Sequence, residues 1–487
     1  MTSSLAAKVA LARGVGALSR LRGGGGTSAP GKVLLRLAPG AIGSLGARLP
    51  QGSVLITATN GKTTTAAMAA AILRRAGRSL VHNSAGANMA GGIATTLLEA
   101  ARGHGKIAGE LGLFEVDELW LSSLAAELDP RVIVVGNLFR DQLDRYGELE
   151  AIADSWQAAL ARVRPRGRAH VGAHSRAQLV LNADDPLVAD LGRPDTDGGL
   201  PPTLYFGVED RALALGGLAH AADAKHCRRC GAPYVFDAVL LGHLGHYHCE
   251  SCGQRRPAPG LSATDVHLEG VRSSSFTLIA PAGRGEVRLA LPGLYNVYNA
   301  LAASALATAL GVGLETIIAG LHDTRAAFGR AETLMLAPSA PGPAGHPSPP
   351  RETRILLIKN PAGANEVLRT LALEPGEHDV IGILNDKIAD GRDVSWIWDA
   401  DFELLAGRIR RATCSGSRAA DLAARLKYAG VDSARIRVEA DIAQALEDAL
   451  HDAPQAGATL YALPTYTAML ALRELLVARG QAVSEWT

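Results

Sequence analysis

Val54-Leu-Ile-Thr-Ala-Thr-Asn-Gly-Lys-Thr-Thr-Thr65 is the stretch on which the reading of this chain turns. The apolar run from Val54 to Thr59 predicts a strand, and Thr63 to Ala76 predicts a helix. Between them lies a turn with Gly61, followed at once by Lys62 and Thr63. Strand, glycine turn, lysine, hydroxyl and helix, in that order, build a phosphate cradle. Backbone N–H groups and the positive end of the helix receive phosphate oxygens. An ammonium adds a point charge for the outer phosphates, and the neighbouring hydroxyl can ligate Mg²⁺. Lys62 and Thr63 take those two roles, with Thr59, Asn60, Gly61 and Thr64 forming the wall of a nucleotide site. The stretch lacks the first glycine of the complete G-x-x-x-x-G-K-[ST] pattern, so the position between strand and helix carries the assignment.

Outward from this point the pattern alternates. Strands are predicted near Ile107–Phe114, Val132–Val135 and Leu179–Asn182, with helices over Thr63–Ala76 and Leu149–Val163. That rhythm predicts an α/β fold with a mainly parallel sheet flanked by helices. Residues 221–256 interrupt it with a Cys- and His-rich block, and a helix follows over Asn296–Leu310. The Pro/Gly/Ser stretch Ala337 to Pro350 reads as a loop, and a second α/β series opens at Arg354. Strands are expected at Ile355–Lys359, Val380–Leu384, Ile436–Val438 and Leu460–Leu463, and helices at Ala364–Leu373, Ala419–Ala429, Ile442–Ala449 and Tyr466–Ala478. The expected organisation is a short N-terminal segment (1–49), a central ATP-binding domain (50–324) with its insert (221–256), and a C-terminal Rossmann-like α/β domain (325–487).

The 487 residues suffice for several domains, and 47% hydrophobic with 20% charged residues excludes a mostly disordered chain. A net charge of +1 argues against a polycation that seeks nucleic acid. The charge is uneven, because eleven lysines and arginines precede the first acid, Glu99. That favours an anionic ligand or surface at this end, with a solvated basic face as the alternative. Leu5, Val9, Ala12, Val15 and Leu18 recur at helical spacing; packing on its own domain is the expected use of this helix, rather than rest on a membrane. No apolar run of membrane-spanning length occurs. Four of the five cysteines lie in one short block, which favours a reducing, cytoplasmic setting over a disulfide framework.

Glu115 ends the apolar run Leu111-Gly-Leu-Phe-Glu115, and a carboxylate at a strand end beside a phosphate loop suits a Mg²⁺ ligand. The alternative is a helix-initiating charge, shared with Asp117 and Glu118. Cys227-x-x-Cys230 and Cys249-x-x-Cys252 lie 18 residues apart, the spacing of a zinc ribbon. Four thiolates leave no open coordination position, so the Zn²⁺ is expected to be structural. His226, His243, His246 and His248 read as solvated or outer groups, with a catalytic zinc or a nucleic-acid-binding ribbon as rival readings. Asp390-Gly-Arg-Asp393-Val-Ser-Trp396-Ile-Trp398-Asp399-Ala-Asp401 concentrates acids and tryptophans in a chain with 4% aromatic residues. It reads either as an interface or as a buried Trp pair anchoring a loop. No Ser-His-Asp or Cys-His nucleophile set stands out, and Cys414 reads as a small buried hydrophobe.

At these residues the chain resembles the Mur ligase family of ATP-dependent ligases in peptidoglycan precursor synthesis. The resemblance covers most of residues 30–480 and rests on TATNGKTTT, Asn137-Leu-Phe-Arg-Asp141-Gln-Leu-Asp144, Asn182-Ala-Asp184-Asp185-Pro, Leu291-Pro-Gly-Leu-Tyr-Asn296-Val-Tyr-Asn299-Ala and Gly329-Arg330-Ala-Glu332. The four-Cys insert, Asn83-Ser-Ala-Gly-Ala-Asn88-Met, the Asp390–Asp399 stretch and Leu463-Pro-Thr-Tyr-Thr-Ala-Met469 are similar to the MurT-type subunits of lipid II isoglutaminyl synthase. Gln142 stands where the family usually has His, and Lys359-Asn-Pro-Ala-Gly-Ala-Asn365 replaces its Asp-Asp-Tyr-Ala-His-type string.

The resemblance implies amidation of the D-glutamate α-carboxylate of lipid II to D-isoglutamine through an acyl phosphate. Asn299, helped by Asn296, then contacts adenine, Asn182 joins the nucleotide set, and Arg330 faces the phosphates. Ammonia is mostly ammonium at neutral pH, so a GatD-like glutamine amidotransferase partner in a heterodimer is implied. Asp399, with Asp393 next, is the expected carboxylate that orients the partner's His. A lipid-linked substrate places the work at the inner face of the membrane. The alternative is another Mur or folylpolyglutamate-type ATP-dependent amide ligase.

Overall fold

The computed structural model describes residues 3–21, 28–83, 87–102, 106–141, 148–162, 177–193, 202–218, 222–324, 330–339, 349–452 and 458–482. The strands before residue 290 are β1 (Ser53–Thr57), β2 (Leu80–His82), β3 (Leu111–Glu115), β4 (Val132–Val135), β5 (Gln178–Asn182), β6 (Thr203–Val208), β7 (Val235–Leu241), β8 (Leu244–His248), β9 (Leu261–Glu269), β10 (Ser273–Ala280) and β11 (Gly283–Leu289). All but β7 and β8 join one nine-stranded sheet in the order β11-β10-β9-β6-β5-β4-β1-β3-β2. From β2 to β9 the neighbours run parallel, and β10 and β11 add an antiparallel edge.

Every residue of β1, β3 and β4 is buried, as expected for parallel strands covered on both faces. Alternation along β1 divides the core. Val54 and Ile56 face helices Lys62–Arg75, Leu294–Ala309 and Leu314–His322, whereas Leu55 faces Ala29–Leu37, Ala41–Gly46, Ala90–Ala100 and Leu121–Leu128. Truncating such a residue to alanine costs about 2–5 kcal/mol.

The opening residues belong to this second layer. Val9, Ala12, Leu34, Ile42, Leu45 and Leu49 share one core with Leu55 and Phe114. Gly31 donates its N–H to Thr95 Oγ1 (2.9 Å), and a Cβ on Gly31 would stand 1.9 Å from the Gly91 carbonyl oxygen. No helix among the described residues is long and apolar enough to cross a membrane.

The second sheet contains β12 (Arg330–Leu336), β13 (Arg351–Leu356), β14 (His378–Ile383), β15 (Ile409–Ser415), β16 (Ile436–Val438) and β17 (Leu460–Pro464), in the order β12-β13-β17-β14-β15-β16. It is parallel except for β12, which pairs antiparallel with β13. The β13 strand starts earlier than its apolar run suggests, because Arg351 is buried within it. The guanidinium pairs with Asp379 and donates to the carbonyls of Ala449 (2.8 Å) and Ala458 (2.7 Å).

Candidate nucleotide and metal sites

The loop Ala58–Gly61 leaves β1 at the C-terminal edge of the parallel strands, where such sheets bind ligands. Gly61 has φ +85°, and a Cβ there would lie 2.0 Å from Asn299 Oδ1, so the turn requires glycine on two grounds. No side chain caps helix Lys62–Arg75, which leaves its first N–H groups available to an anion. Thr63 is half-buried on this turn, and Thr64 is buried.

The loop following β4 holds the cradle in place. The Asn137 side chain brackets Asn60 by accepting its N–H (2.9 Å) and donating to its carbonyl (2.9 Å). Thr59 Oγ1 accepts the Phe139 N–H (3.0 Å) and donates to the Phe139 carbonyl (3.2 Å).

Lys62 curls back to donate to the Ala58 carbonyl (2.5 Å) and to Glu118 Oε2 (2.9 Å). Burial works against its ammonium, but Glu118 and Glu115 raise its pKa above the ordinary 10.5. Glu115, Asp117 and Glu118 are all buried here. All three carboxylates act on the one ammonium, so the negative charge around Lys62 exceeds the positive. Asn83 fixes the end of β3 through the Glu115 backbone (2.8 and 2.9 Å), and Asn88 reaches Glu115 Oε1 at 3.4 Å. The sequence marks Glu118, the direct partner of Lys62, only as a helix-initiating charge, because it lies beyond the strand end that singles out Glu115.

The second sheet closes on the same loop. Lys359 donates to Asp141 Oδ2 (2.5 Å) and to the Thr59 carbonyl (3.2 Å). Asn60 and Asn360 exchange amide hydrogen bonds (3.2 and 3.0 Å). Asn360 also accepts the Gly363 N–H (2.8 Å), capping helix Pro361–Ala372. Sequence reasoning saw residues 359–365 only as a departure from the family string, because a contact across 300 positions leaves no local trace.

Asn296 and Asn299 are buried and bonded to one another (3.1 Å), with Asn299 Oδ1 also accepting from Thr65 Oγ1 (3.3 Å). Asn299 therefore abuts the cradle backbone at Gly61. Asn182 is wholly buried and bonds the Gly136 carbonyl (2.9 Å) and the Asp184 N–H (3.0 Å), tying strand ends together. Arg330 begins β12, and its side chain, like Gln142 and Asp144, lies outside the described residues.

The insert places the four cysteine sulfurs within 4.8 Å of one another, with the Cys227–Cys252 and Cys230–Cys249 pairs at 3.5 Å. A tetrahedral S₄ zinc site with Zn–S near 2.3 Å has sulfurs about 3.8 Å apart, so the residues fit the metal. Each Cys-x-x-Cys turns through a left-handed glycine, Gly231 (φ +77°) or Gly253 (φ +75°), whose N–H bonds back to Cys227 or Cys249. The expectation of solvated histidines fails at two positions. His243 and His246 are buried in the joint with the main sheet, His246 Nε2 lying 2.9 Å from the Val208 carbonyl. Asp190 receives Arg229 (2.7 Å) and Arg228 (3.5 Å) and so docks the first knuckle.

Asp393 is exposed; its Oδ1 accepts the Ser395 N–H (2.8 Å), and that bond lowers its pKa. Asp399 is half-buried in a cleft between the two sheets, with Arg140 Nη1 at 3.8 Å and Asp223, Pro361 and Asn365 also lining it. The tryptophans do not form a buried pair. Trp398 is 51% exposed and packs against Tyr428 at 5.7 Å, while Trp396 is half-buried.

Residues 56–232 match the Mur ligase middle domain, and residues 357–469 match the MurT ligase C-terminal domain. The lipid II isoglutaminyl synthase (glutamine-hydrolyzing) subunit MurT of Streptococcus pneumoniae is 34% identical over 95% of this chain and 94% of its own length. The chain belongs to the MurT family of Mur ligases. The subunit MurT of Staphylococcus aureus strain N315 is 31% identical over 94% of both chains. A pseudomurein peptide ligase type C from Methanothermus fervidus shares the fold, with a TM-score of 0.63 at 24% identity over 89% of this chain and 80% of its own. The MurT family assignment thus rests on both halves of the molecule, and the phosphate loop, the cysteine insert and the Asp390–Asp399 stretch lie within matched residues or next to them.

Proposed function

We propose that this chain is the synthetase subunit of a lipid II isoglutaminyl synthase. It activates the D-glutamate α-carboxylate of the stem peptide with ATP and directs ammonia onto the acyl phosphate to give D-isoglutamine. One observation carries the reading: an uncapped helix behind Gly61 and Lys62, clasped by Lys359 and Asn360, in a chain similar along 95% of its length to a subunit so named.

A carboxylate is a poor electrophile, so the chemistry needs a leaving group and a site that tolerates phosphoryl charge. Lys62 and the N–H groups around Gly61 hold the outer phosphates, and Thr59, Asn60 and Thr64 keep the cradle's shape. Thr63 and Glu115 would hold Mg²⁺, which neutralises phosphate charge when bound. Glu118 keeps Lys62 protonated and parked until phosphate displaces it. Asn296 and Asn299 set the cradle from behind, with adenine contact as their further role. Asn182 supports the strand ends from below, and Arg330 faces the phosphates.

The reaction consumes ammonia, and the relatives' name includes glutamine hydrolysis. A GatD-like glutaminase partner supplies it, and Asp399, or Asp393 in second place, orients the partner's His. Zn²⁺ on the four cysteines is structural. The substrate's lipid tail sets the work at the inner membrane face.

The test combines this chain, a candidate amidotransferase partner, glutamine, ATP, Mg²⁺ and lipid II, with mass spectrometry for conversion of a carboxyl to a carboxamide. Amidation that depends on every component supports the reading. Retained amidation with Lys62→Ala would sink it, since loss of the phosphate-binding ammonium should cost about 10²–10³-fold.

A further inference from the structure

We propose that His243, at the tip of the ribbon's hairpin, is a positioning residue for the phosphate loop, so that the cysteine insert governs nucleotide affinity. The inference rests on the reading of Ala58–Gly61 as a nucleotide cradle.

His243 follows Gly242 in the turn between β7 and β8, on the insert that carries the four cysteines, yet it has no exposed surface. Its ring centroid lies 4.6 Å from that of Phe139, and Nε2 lies 3.4 Å from Asp185 Oδ2. That same carboxylate oxygen accepts the Leu138 N–H at 2.8 Å. Gly242, at φ +59°, brings the turn so near that a Cβ would stand 2.8 Å from the Phe139 ring. The hairpin tip therefore packs its ring on Phe139, while Asp185, against which that ring lies, holds the Leu138 N–H. These residues belong to the stretch that holds the cradle, since Phe139 pairs twice with Thr59 and Asn137 brackets Asn60. Only residues 137–139 separate the ribbon from the loop.

The adjacent aspartate braces the other wall. Asp184 takes Arg256 Nε (2.6 Å), which follows the last cysteine, and its carbonyl accepts the Gly245 N–H (2.9 Å). Asp184 Oδ2 accepts from Tyr298 (2.6 Å), the neighbour of Asn299, whose side chain meets Gly61. Asp190 docks the knuckle end of the insert, whereas His243 and Arg256 lead to the two sides of the cradle. Coupling through packed rings and buried hydrogen bonds of this kind is what lets a distant element set a loop's position.

The experiment measures binding of a non-hydrolysable ATP analogue with Mg²⁺ to the full chain by calorimetry, with metal content and melting temperature recorded alongside. His243→Ala removes the ring beneath Phe139 and is expected to weaken binding about tenfold, with bound metal retained. Amide exchange at residues 57–63 should rise with it. His243→Phe keeps the ring contact and should restore affinity to within about threefold. Stripping the metal from the unaltered chain should weaken binding by a similar factor and add little in His243→Ala. Equal binding by His243→Ala overturns the inference, as does a loss that appears only together with metal loss or unfolding. Failure of the unaltered chain to bind the analogue sinks the cradle reading and this inference with it; equal binding by the variant sinks this inference alone.

Discussion

The ammonium of Lys359 lies 2.5 Å from Asp141 Oδ2 and 3.2 Å from the Thr59 carbonyl oxygen, so the loop that leaves β13 of the second sheet reaches the phosphate loop of the first. Lys359 is half-buried and its partner Asp141 is buried, so the contact is worth more than one on the open surface. Lys359→Met should reduce substrate-dependent ATP turnover about 10²-fold and, by leaving the buried Asp141 carboxylate without its cation, lower the melting temperature as well. Turnover unchanged in this variant would mean that the clasp has no part in phosphoryl transfer.

The cysteine cluster predicts one zinc per chain by elemental analysis. Cys249→Ser, or exhaustive chelation, should release it and lower the melting temperature by about 10 °C, because the ribbon's aromatic core of Tyr234 and Tyr247 is small and borrows its stability from the metal. A metal-free chain with unchanged melting would refute the structural role.

Asp399 and Asp393 separate cleanly by their surroundings. Asp393 is engaged by its own turn, while Asp399 shares a cleft with Arg140 and is only half-buried. In the complex with the amidotransferase partner, Asp399→Asn should lower glutamine hydrolysis by about 10²–10⁴-fold, and Asp393→Asn should change it little. The reverse pattern would transfer the role to Asp393.

His82 ends β2 with both ring nitrogens buried and unbonded. Burial, reinforced by Arg74, depresses its pKa from the ordinary 6.5 to about 4. The folded state therefore resists a proton that the unfolded chain accepts below pH 6.5. Stability from this group is complete above that pH and is lost as pH falls toward 4, by about 3 kcal/mol in all. His82→Leu should flatten this part of the acid limb in denaturant titrations between pH 7 and 4. Identical slopes for both chains would exclude His82 as the cause.

Local chemistry was legible where it was written in consecutive residues. The strand, glycine and lysine of the cradle, the cysteine pairs and the alternating α/β pattern each announce themselves within a few positions. The long-range half was not. Glu118, Lys359 and His243 take their roles from partners 56, 218 and 58 positions away. Histidines beside a metal motif look like solvated or outer groups, and only the packing of Phe139 against His243 reveals a buried joint. Arg351 broke the apolar pattern of its strand because its charge is satisfied by carbonyls from elements about a hundred residues further on. The bonds of Asn182 to Gly136 and of Asn299 to Thr65 likewise span distant positions and leave no local pattern.

Among the described strands of the second sheet, the one latest in sequence, Leu460–Pro464, lies at the centre, hydrogen-bonded between β13 and β14. During synthesis, β13 and β14 leave the ribosome before the strand that joins them, so the half-sheet next to Lys359 must wait, open-edged, until residues 460–464 have been made. The first sheet can be folded by then. A ribosome stalled short of residue 460 would thus release a molecule whose cradle is built but whose clasp has no frame to hold it.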